Sequence, residues 1–477
     1  MIIGRTTEQK RLERVYQSKE AEFVVVVGRR RVGKTYLIRE FFQNKPCRYF
    51  HATGLQKGSL KQQLEKFAEA LSKTFFNNVP LKAIESWSEA LKLLHQQILM
   101  TKEKVIVFLD ELPWMATRKS GLLQEIDYRW NHDWSGMPNV ILIVCGSSAS
   151  WLIEKIIYDT GGLHNRVTCQ INLHPFSLLE ASEYLKNNKI KLNHQHILSL
   201  YMALGGIPYY LKYVESGLTA EQNIQKIMFE KESELKDEFD KLFTSLFKKA
   251  DFYIELIKLI SKRKQGISRE ELKKNTSLSN GGGSLSKRLK NLCDTGFIEE
   301  YVPWERSVGE YYKVIDEFCL FYLHWVDSSK NKKFPKDYWI AQSQKPAYHA
   351  WAGLSFEAVC AKHVDNIIDA LKIKADRYGA WRFVPRTKIE NGAQIDLVID
   401  RNDNAMTVCE IKYTSKPFAI DKQYAEKLKR KIKIFKNKTN TKKQIFLSMV
   451  SANGLEKTIY SEDMVDSVVT LGDLFKG

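Results

Sequence analysis

The stretch FVVVVGRRRVGKTYLIREFF, residues 23–42, decides how the N-terminal part of the chain reads. From Phe23 to Val27 every residue is apolar and most are β-branched, a run too continuous for a half-exposed strand and suited to one buried on both faces of a parallel sheet. GRRRVGKT follows at once, and YLIREFF then takes up helical spacing. Gly28 and Gly33 bracket Arg29, Arg30, Arg31 and Val32, so the segment satisfies GxxxxGK[ST] in the strand, loop and helix setting that this motif requires. The glycines let successive backbone N–H groups turn toward phosphate oxygens. The helix opening at Lys34, Thr35 and Tyr36 directs its positive end to the same place. Lys34 adds a point charge for the β- and γ-phosphates and Thr35 a hydroxyl for Mg²⁺, so the ligand expected here is ATP with magnesium.

Two further apolar runs lie downstream. KVIVFLDE, residues 104–111, ends in Asp110 and Glu111 at the carboxyl tip of a buried strand, where an open α/β sheet collects its ligands. Asp110 is the expected magnesium ligand, directly or through water. Glu111 would orient and deprotonate the attacking water. VILIVCGSS, residues 140–148, is a third such strand, followed by the helical ASWLIEKII. Residues 1–176 therefore read as a doubly wound α/β core. Residues 177–240 turn helical (SLLEASEYLKNN, HILSLYMALGG, IPYYLKYVESG) and are expected to form a lid.

Between 245 and 330, three short helical patterns precede two probable strands, FIEEYVPW and EYYKVID. Three helices and a hairpin predict a winged helix-turn-helix whose third helix, with Ser284, Ser286, Lys287, Arg288 and Lys290, enters a DNA groove. A small module that binds protein is the competing reading. After the aromatic helix EFCLFYLHWV and the polar linker SSKNKKFPKD, residues 345–477 run helix, strand (WRFVPR), strand (AQIDLVID), strand (AMTVCEIKY) and basic helix.

A chain of 477 residues exceeds one hydrophobic core and predicts several domains. Hydrophobic residues at 44% and charged residues at 27% suit folded protein. The seven cysteines form no CxxC pair, and the N-terminus does not read as a signal peptide, which together predict a reducing, cytoplasmic setting. Apolar runs fall well short of the roughly 18–20 residues of a membrane helix. A formal net charge of +18 makes polyanions, DNA first, the expected partner.

Taken together, these stretches resemble the AAA+ ATPases, and most of all a prokaryotic family in which the ATPase core precedes a winged helix and a C-terminal nuclease-like domain. The resemblance covers nearly the whole chain. It implies that IGRTTEQKRL is the opening motif, with Gly4 and Arg5 near the adenine, and that ILIVCGSSASWL is the sensor-1 strand, with Ser147 or Ser148 sensing the γ-phosphate. It further implies that MALGGIPYYL is the lid motif, with Pro208 packed near the base. Gly205, Gly206 and Pro208 also read simply as a helix-breaking turn. Arg166, in LHNRVTCQINLHPFS, matches a conspicuous arginine of the family. An arginine finger there would imply a homo-oligomer, and a surface arginine is the alternative. No clear sensor-2 arginine follows GGIPYY.

In the last domain Asp396, Glu410 and Lys412 stand in the arrangement D-x13-ExK, which resembles the PD-(D/E)xK nucleases and implies a restriction-endonuclease-like α/β fold. Glu410 and Lys412 share one strand face by the period of two, and Asp396 on a neighbouring strand would complete a chelate for a divalent ion. The metal would polarise a scissile phosphate while Lys412 positions water. Glu357 matches the acid that this superfamily often takes from its first helix. Ile395 stands where the motif has proline. The competing reading of the trio is a surface-charged hairpin, and of Glu357 a solvated helix residue. Downstream, Lys422, Lys427, Lys429, Arg430, Lys431, Lys433, Lys436, Lys438, Lys442 and Lys443 face one acid, Glu426, while Tyr424, Leu428, Ile432 and Phe435 form an apolar stripe. The charged face suits a phosphate backbone or, equally, solvent.

Overall fold

The computed structural model describes residues 1–117, 119–158, 163, 165–263, 266–277, 282–302, 304, 310–327, 334–383, 385 and 391–476. Most of the linker SSKNKKFPKD, residues 305–309 between the two expected hairpin strands, and the end of WRFVPR lie outside them. The chain forms two compact units, residues 1–175 with 287–296, and residues 176–286 with 297–477.

In the first unit five parallel strands, β1 (Glu22–Val27), β2 (Cys47–Thr53), β3 (Lys104–Asp110), β4 (Val140–Cys145) and β5 (Cys169–Asn172), stand in the order β2-β3-β4-β1-β5. The three long apolar runs are the three central strands. Phe23, Val25 and Val27 face one side, with Val105, Val107, Leu109, Leu142 and Val144, and pack against helices Leu60–Phe75, Trp87–Leu99 and Leu122–Arg129. Val24, Val26, Ile106, Phe108, Ile141 and Ile143 alternate with them and are also completely buried, as a sheet covered on both faces requires. Strands β2 and β5 escaped the sequence reading because each sits at a sheet edge and mixes polar residues into its run (CRYFHAT, CQIN).

The second unit begins with helices Leu178–Asn187, His194–Leu204 and Pro208–Leu211. Gly205 (φ 69°) caps the second, Gly206 (φ 63°) follows, and Pro208 opens the third at its first position, where its missing N–H costs nothing. At Gly206 a β-carbon would meet the Phe176 carbonyl oxygen and come within 2.6 Å of the Tyr201 ring. Gly206→Ala is expected to lower the thermal unfolding midpoint by the equivalent of roughly 1–3 kcal/mol, combining left-handed backbone strain with the clash. An unchanged melting curve would show that this turn relaxes freely.

Helices Ala250–Ser261 and Arg269–Asn275 accompany a three-stranded antiparallel sheet of β6 (Ile267–Ser268), β7 (Ile298–Tyr301) and β8 (Tyr311–Val314), in the order β6-β8-β7, and helix Gly282–Asp294, which precedes β7 in the chain, belongs from residue 287 to the first unit. Strand β6, two residues long, was below the reach of periodicity.

The C-terminal sheet is mixed, with β9 (Ala375–Phe383), β10 (Ala393–Arg401), β11 (Ala405–Lys412), β12 (Gln444–Ser451) and β13 (Ser467–Thr470) in the order β13-β12-β11-β10-β9. Pairing is antiparallel from β9 to β11 and parallel from β11 to β13. The parallel crossover from β11 to β12 is the basic helix Lys422–Thr439, whose Ala425, Leu428 and Phe435 are buried against the sheet. Helix Pro346–Lys362 ends in two anchors. Lys362 Nζ pairs with both oxygens of the buried Glu317 at 2.6 and 2.7 Å, and His363 Nε2 accepts the Leu178 N–H at 3.0 Å.

Candidate nucleotide site and C-terminal carboxylate cluster

Because β4 lies between β1 and β3, the loop after β1, the tip of β3 and the tip of β4 emerge side by side at the carboxyl edge of the sheet. Gly28 (φ 156°) has no room for a side chain, since a β-carbon would strike the Leu173 carbonyl, and Gly33 (φ 95°) caps helix Lys34–Phe42 in a left-handed conformation. Arg31 is also left-handed, at φ 75°. Lys34 is buried, and its Nζ donates to the carbonyls of Gly28 at 2.8 Å and Arg29 at 3.0 Å. Burial pushes its pKa down, against the pull of Cys145, Glu111 and Asp110.

Asp110 is only 3% exposed and held from three sides. Thr35 Oγ1 donates to its Oδ2 at 2.8 Å, the Cys145 thiol donates to Oδ1 at 2.7 Å, and His51 Nε2 lies 3.5 Å from Oδ2. Burial raises the Asp110 pKa, but hydrogen bonds from His51, Cys145 and Thr35 outweigh it and the net shift is downward. An ionised carboxylate beside a threonine hydroxyl is a pair of hard oxygen donors that fits magnesium, with Thr35 and Asp110 as the holding residues. His51 and Cys145 were missed. His51 stacks on Phe108 at 4.7 Å between ring centroids, and it would have been found had CRYFHAT been read as a strand ending beside Asp110.

Glu111 turns off the strand at φ 52° and receives the Ser147 backbone N–H at 2.8 Å and the Ser147 hydroxyl. The neighbouring Ser148 opens the short helix Ala149–Leu152. Close approach makes this possible: at Gly146 a β-carbon would lie 2.5 Å from the Pro113 ring, and at Gly54 one would lie 2.6 Å from the Glu111 carbonyl. Arg5, buried and left-handed at φ 55°, reaches the Val32 carbonyl at 3.4 Å, so the opening motif touches the phosphate loop. Gly4 accepts from Gln9 through its carbonyl, and the Tyr36 hydroxyl donates to the Met1 carbonyl. Arg166 is exposed. Pro208 belongs to the second unit, in the turn described above.

Residues 3–214 match the model of a family described as an ATPase domain predominantly from Archaea. An ATP-binding protein of Methanocaldococcus jannaschii, MJ0423, is 44% identical over 45 residues, 9% of this chain and 76% of its own length. The chain belongs to this ATPase family. A second protein of that organism, MJECL04, is 25% identical to the ATPase over 424 residues, 87% of this chain and 88% of that one. Among solved structures, the Walker-type ATPase PABY2304 of Pyrococcus abyssi is 18% identical with a TM-score of 0.49, covering 68% of this chain and 96% of its own. The Aeropyrum pernix ORC1 protein in complex with DNA is 14% identical with a TM-score of 0.36, covering 69% and 94%. No helix among the described residues of the ATPase is long and apolar enough to cross a membrane.

In the second unit of the ATPase, the residues singled out in the C-terminal domain do converge. Asp396 Oδ2 accepts the Ile411 N–H at 2.9 Å, across the β10–β11 pair. Glu410, 3% exposed, receives Lys412 Nζ at 2.9 Å and the Tyr424 hydroxyl at 2.5 Å on Oε1, and Lys431 Nζ at 2.9 Å on Oε1 and 2.7 Å on Oε2. Glu357 faces the group from helix Pro346–Lys362. Burial first, then the Asp396 and Glu410 charges, push its pKa up to about 7, with Lys412 and Lys431 opposing. Burial and Glu410 likewise raise Asp396, whereas the two lysines hold Glu410 below the usual range despite its burial. Among the described residues no three His, Cys, Asp or Glu side chains form a group able to hold a metal ion, and Glu410 has both oxygens engaged by ammonium groups. The donor set as arranged does not fit a divalent cation. Lys431, counted with the basic residues, and Tyr424, counted with the apolar stripe, both turn out to bond Glu410. Seven residues apart, they share one helix face, and that spacing was the available signal.

Proposed function

We propose that this protein hydrolyses ATP at residues 28–35 and binds DNA through helices Lys422–Thr439 and Gly282–Asp294. The observation that carries the hydrolytic reading is the convergence of Lys34, Thr35, Asp110, Glu111 and Ser147 on one edge of the sheet. In this reading the loop amides and Lys34 hold the β- and γ-phosphates, and Thr35 with Asp110 holds Mg²⁺, which would neutralise charge on the transferred phosphoryl group. Glu111 takes a proton from the attacking water, and Ser147, bonded to Glu111, reports on the γ-phosphate. The exposed Arg166 would act on a neighbouring copy, which makes a homo-oligomer the working form.

DNA binding rests on the net charge of +18 and on helix Lys422–Thr439, whose Lys429, Arg430, Lys433 and Lys436 face solvent. The three helices and three-stranded sheet of residues 250–314 support a winged-helix reading, with Ser284, Ser286, Lys287, Arg288 and Lys290 as its candidate groove contacts. The competing reading, metal-dependent cutting by Glu357, Asp396, Glu410 and Lys412, requires a divalent cation that the donor set as arranged does not fit.

The test is titration of fluorescent duplex DNA at several salt concentrations, with and without ATP. Contact with 6–10 phosphates predicts an affinity loss of about 10³–10⁵ between 50 and 200 mM salt. Lys433→Glu with Lys436→Glu is expected to weaken binding for every sequence alike and to flatten that slope. Affinity indifferent to salt and to this double substitution would remove DNA from the reading.

A further inference from the structure

The carboxylate cluster carries its own cations. Lys431 lies on the inner side of helix Lys422–Thr439 with a side chain 16% exposed, unlike the solvent-facing lysines around it, and it grips both Glu410 oxygens. Lys412 approaches the same carboxylate from the sheet at 2.9 Å, and Tyr424, two turns before Lys431 on the helix, closes it with a hydroxyl. The sequence reading placed one lysine here and a divalent ion. The fold places two lysines, whose ammonium groups together supply the charge of two that such an ion would bring. Glu410 Oε1 thus accepts from three donors, and Oε2 from Lys431 as well, so both oxygens of this buried carboxylate are neutralised by ammonium groups.

We propose that Lys431 is a resident ammonium that occupies the cation position of this cluster, so that the C-terminal domain is a metal-independent module that holds polyanions without cutting them. The proposal chooses between the two readings of the domain given above, and it stands whether or not DNA is the polyanion.

The decisive measurement is Mn²⁺ binding by the nucleotide-free full-length protein, read from the electron paramagnetic resonance signal of free Mn²⁺. Substitution of Asp396 by Asn identifies the C-terminal site and excludes binding elsewhere. Wild type is expected to show no Mn²⁺ site that depends on Asp396. Lys431→Met is expected to gain one, at least about tenfold tighter than any wild-type binding, and to lose it again when Asp396→Asn is added. Lys431→Arg, which keeps the charge, is expected to behave as wild type. Wild-type Mn²⁺ binding that disappears in Asp396→Asn would overturn the proposal, and so would a folded Lys431→Met protein with no gained site. The wild-type and Asp396→Asn pair decides the question even if Lys431→Met does not fold. Supercoiled DNA should remain intact with Mg²⁺ or Mn²⁺.

Discussion

Replacing Lys34 with alanine is expected to reduce ATP turnover by at least about a hundredfold, the scale on which a single preorganised electrostatic contact to a developing charge acts. The Lys34 ammonium rests on the carbonyls of Gly28 and Arg29, within the loop itself. A bound triphosphate would exchange those carbonyls for phosphate oxygens, which are stronger acceptors because they are charged. Burial lowers the Lys34 pKa and so disfavours its charge, a cost that bound phosphates would offset. Arginine is a poor replacement, since a planar fork does not fit where a compact ammonium is enclosed by backbone. Phosphate release in the steady state and calorimetric nucleotide binding measure the effect. Turnover and affinity both at the wild-type level would sink the assignment of this loop.

Glu111→Gln separates binding from chemistry. The substitution keeps the size of the side chain and one carbonyl oxygen to accept from Ser147, whose N–H and hydroxyl both donate to the carboxylate. It removes the basicity. Nucleotide affinity should therefore hold while turnover falls by about 10²–10⁴, the usual contribution of a positioned general base. Equal losses in affinity and turnover would mean that Glu111 shapes the site rather than acts on water. Undiminished hydrolysis would exclude it from the chemistry.

How much of this was legible in the chain differs between the two sites, for a physical reason. The phosphate loop is local: Gly28 to Thr35 are consecutive, flanked by a strand and a helix with strong periodicity, so the sequence states both the loop and its setting. Asp110, Glu111 and Ser147 ended apolar runs, and a parallel sheet gathers such ends at one edge. His51 and Cys145 were hidden because their importance comes from sheet order, with β2 and β4 flanking β3, and order is not written in any one segment. In the C-terminal domain the spacing of Asp396, Glu410 and Lys412 located the cluster. The identity of its cation depended on a helix crossing the sheet so that one lysine among many points inward. Strands β12 and β13 were missed as well, because a serine interrupts the apolar run of QIFLSMVS and SVVT is only four residues long.

Helix Pro346–Lys362 has a mechanical meaning. At its end, Lys362 is clamped to Glu317, whose Oε2 would lie 3.0 Å from a β-carbon at Gly205, in the turn of Gly205, Gly206 and Pro208. Five residues earlier the same helix presents Glu357 to the cluster of Asp396 and Glu410. Neither glycine nor proline interrupts that interval, and an uninterrupted α-helix rises only about 1.5 Å per residue. The turn and the cluster are thus fastened to one short rod, less than about 10 Å of it apart. Between Lys362 and Glu357 the helix therefore offers no residue at which the two ends of that interval could bend independently.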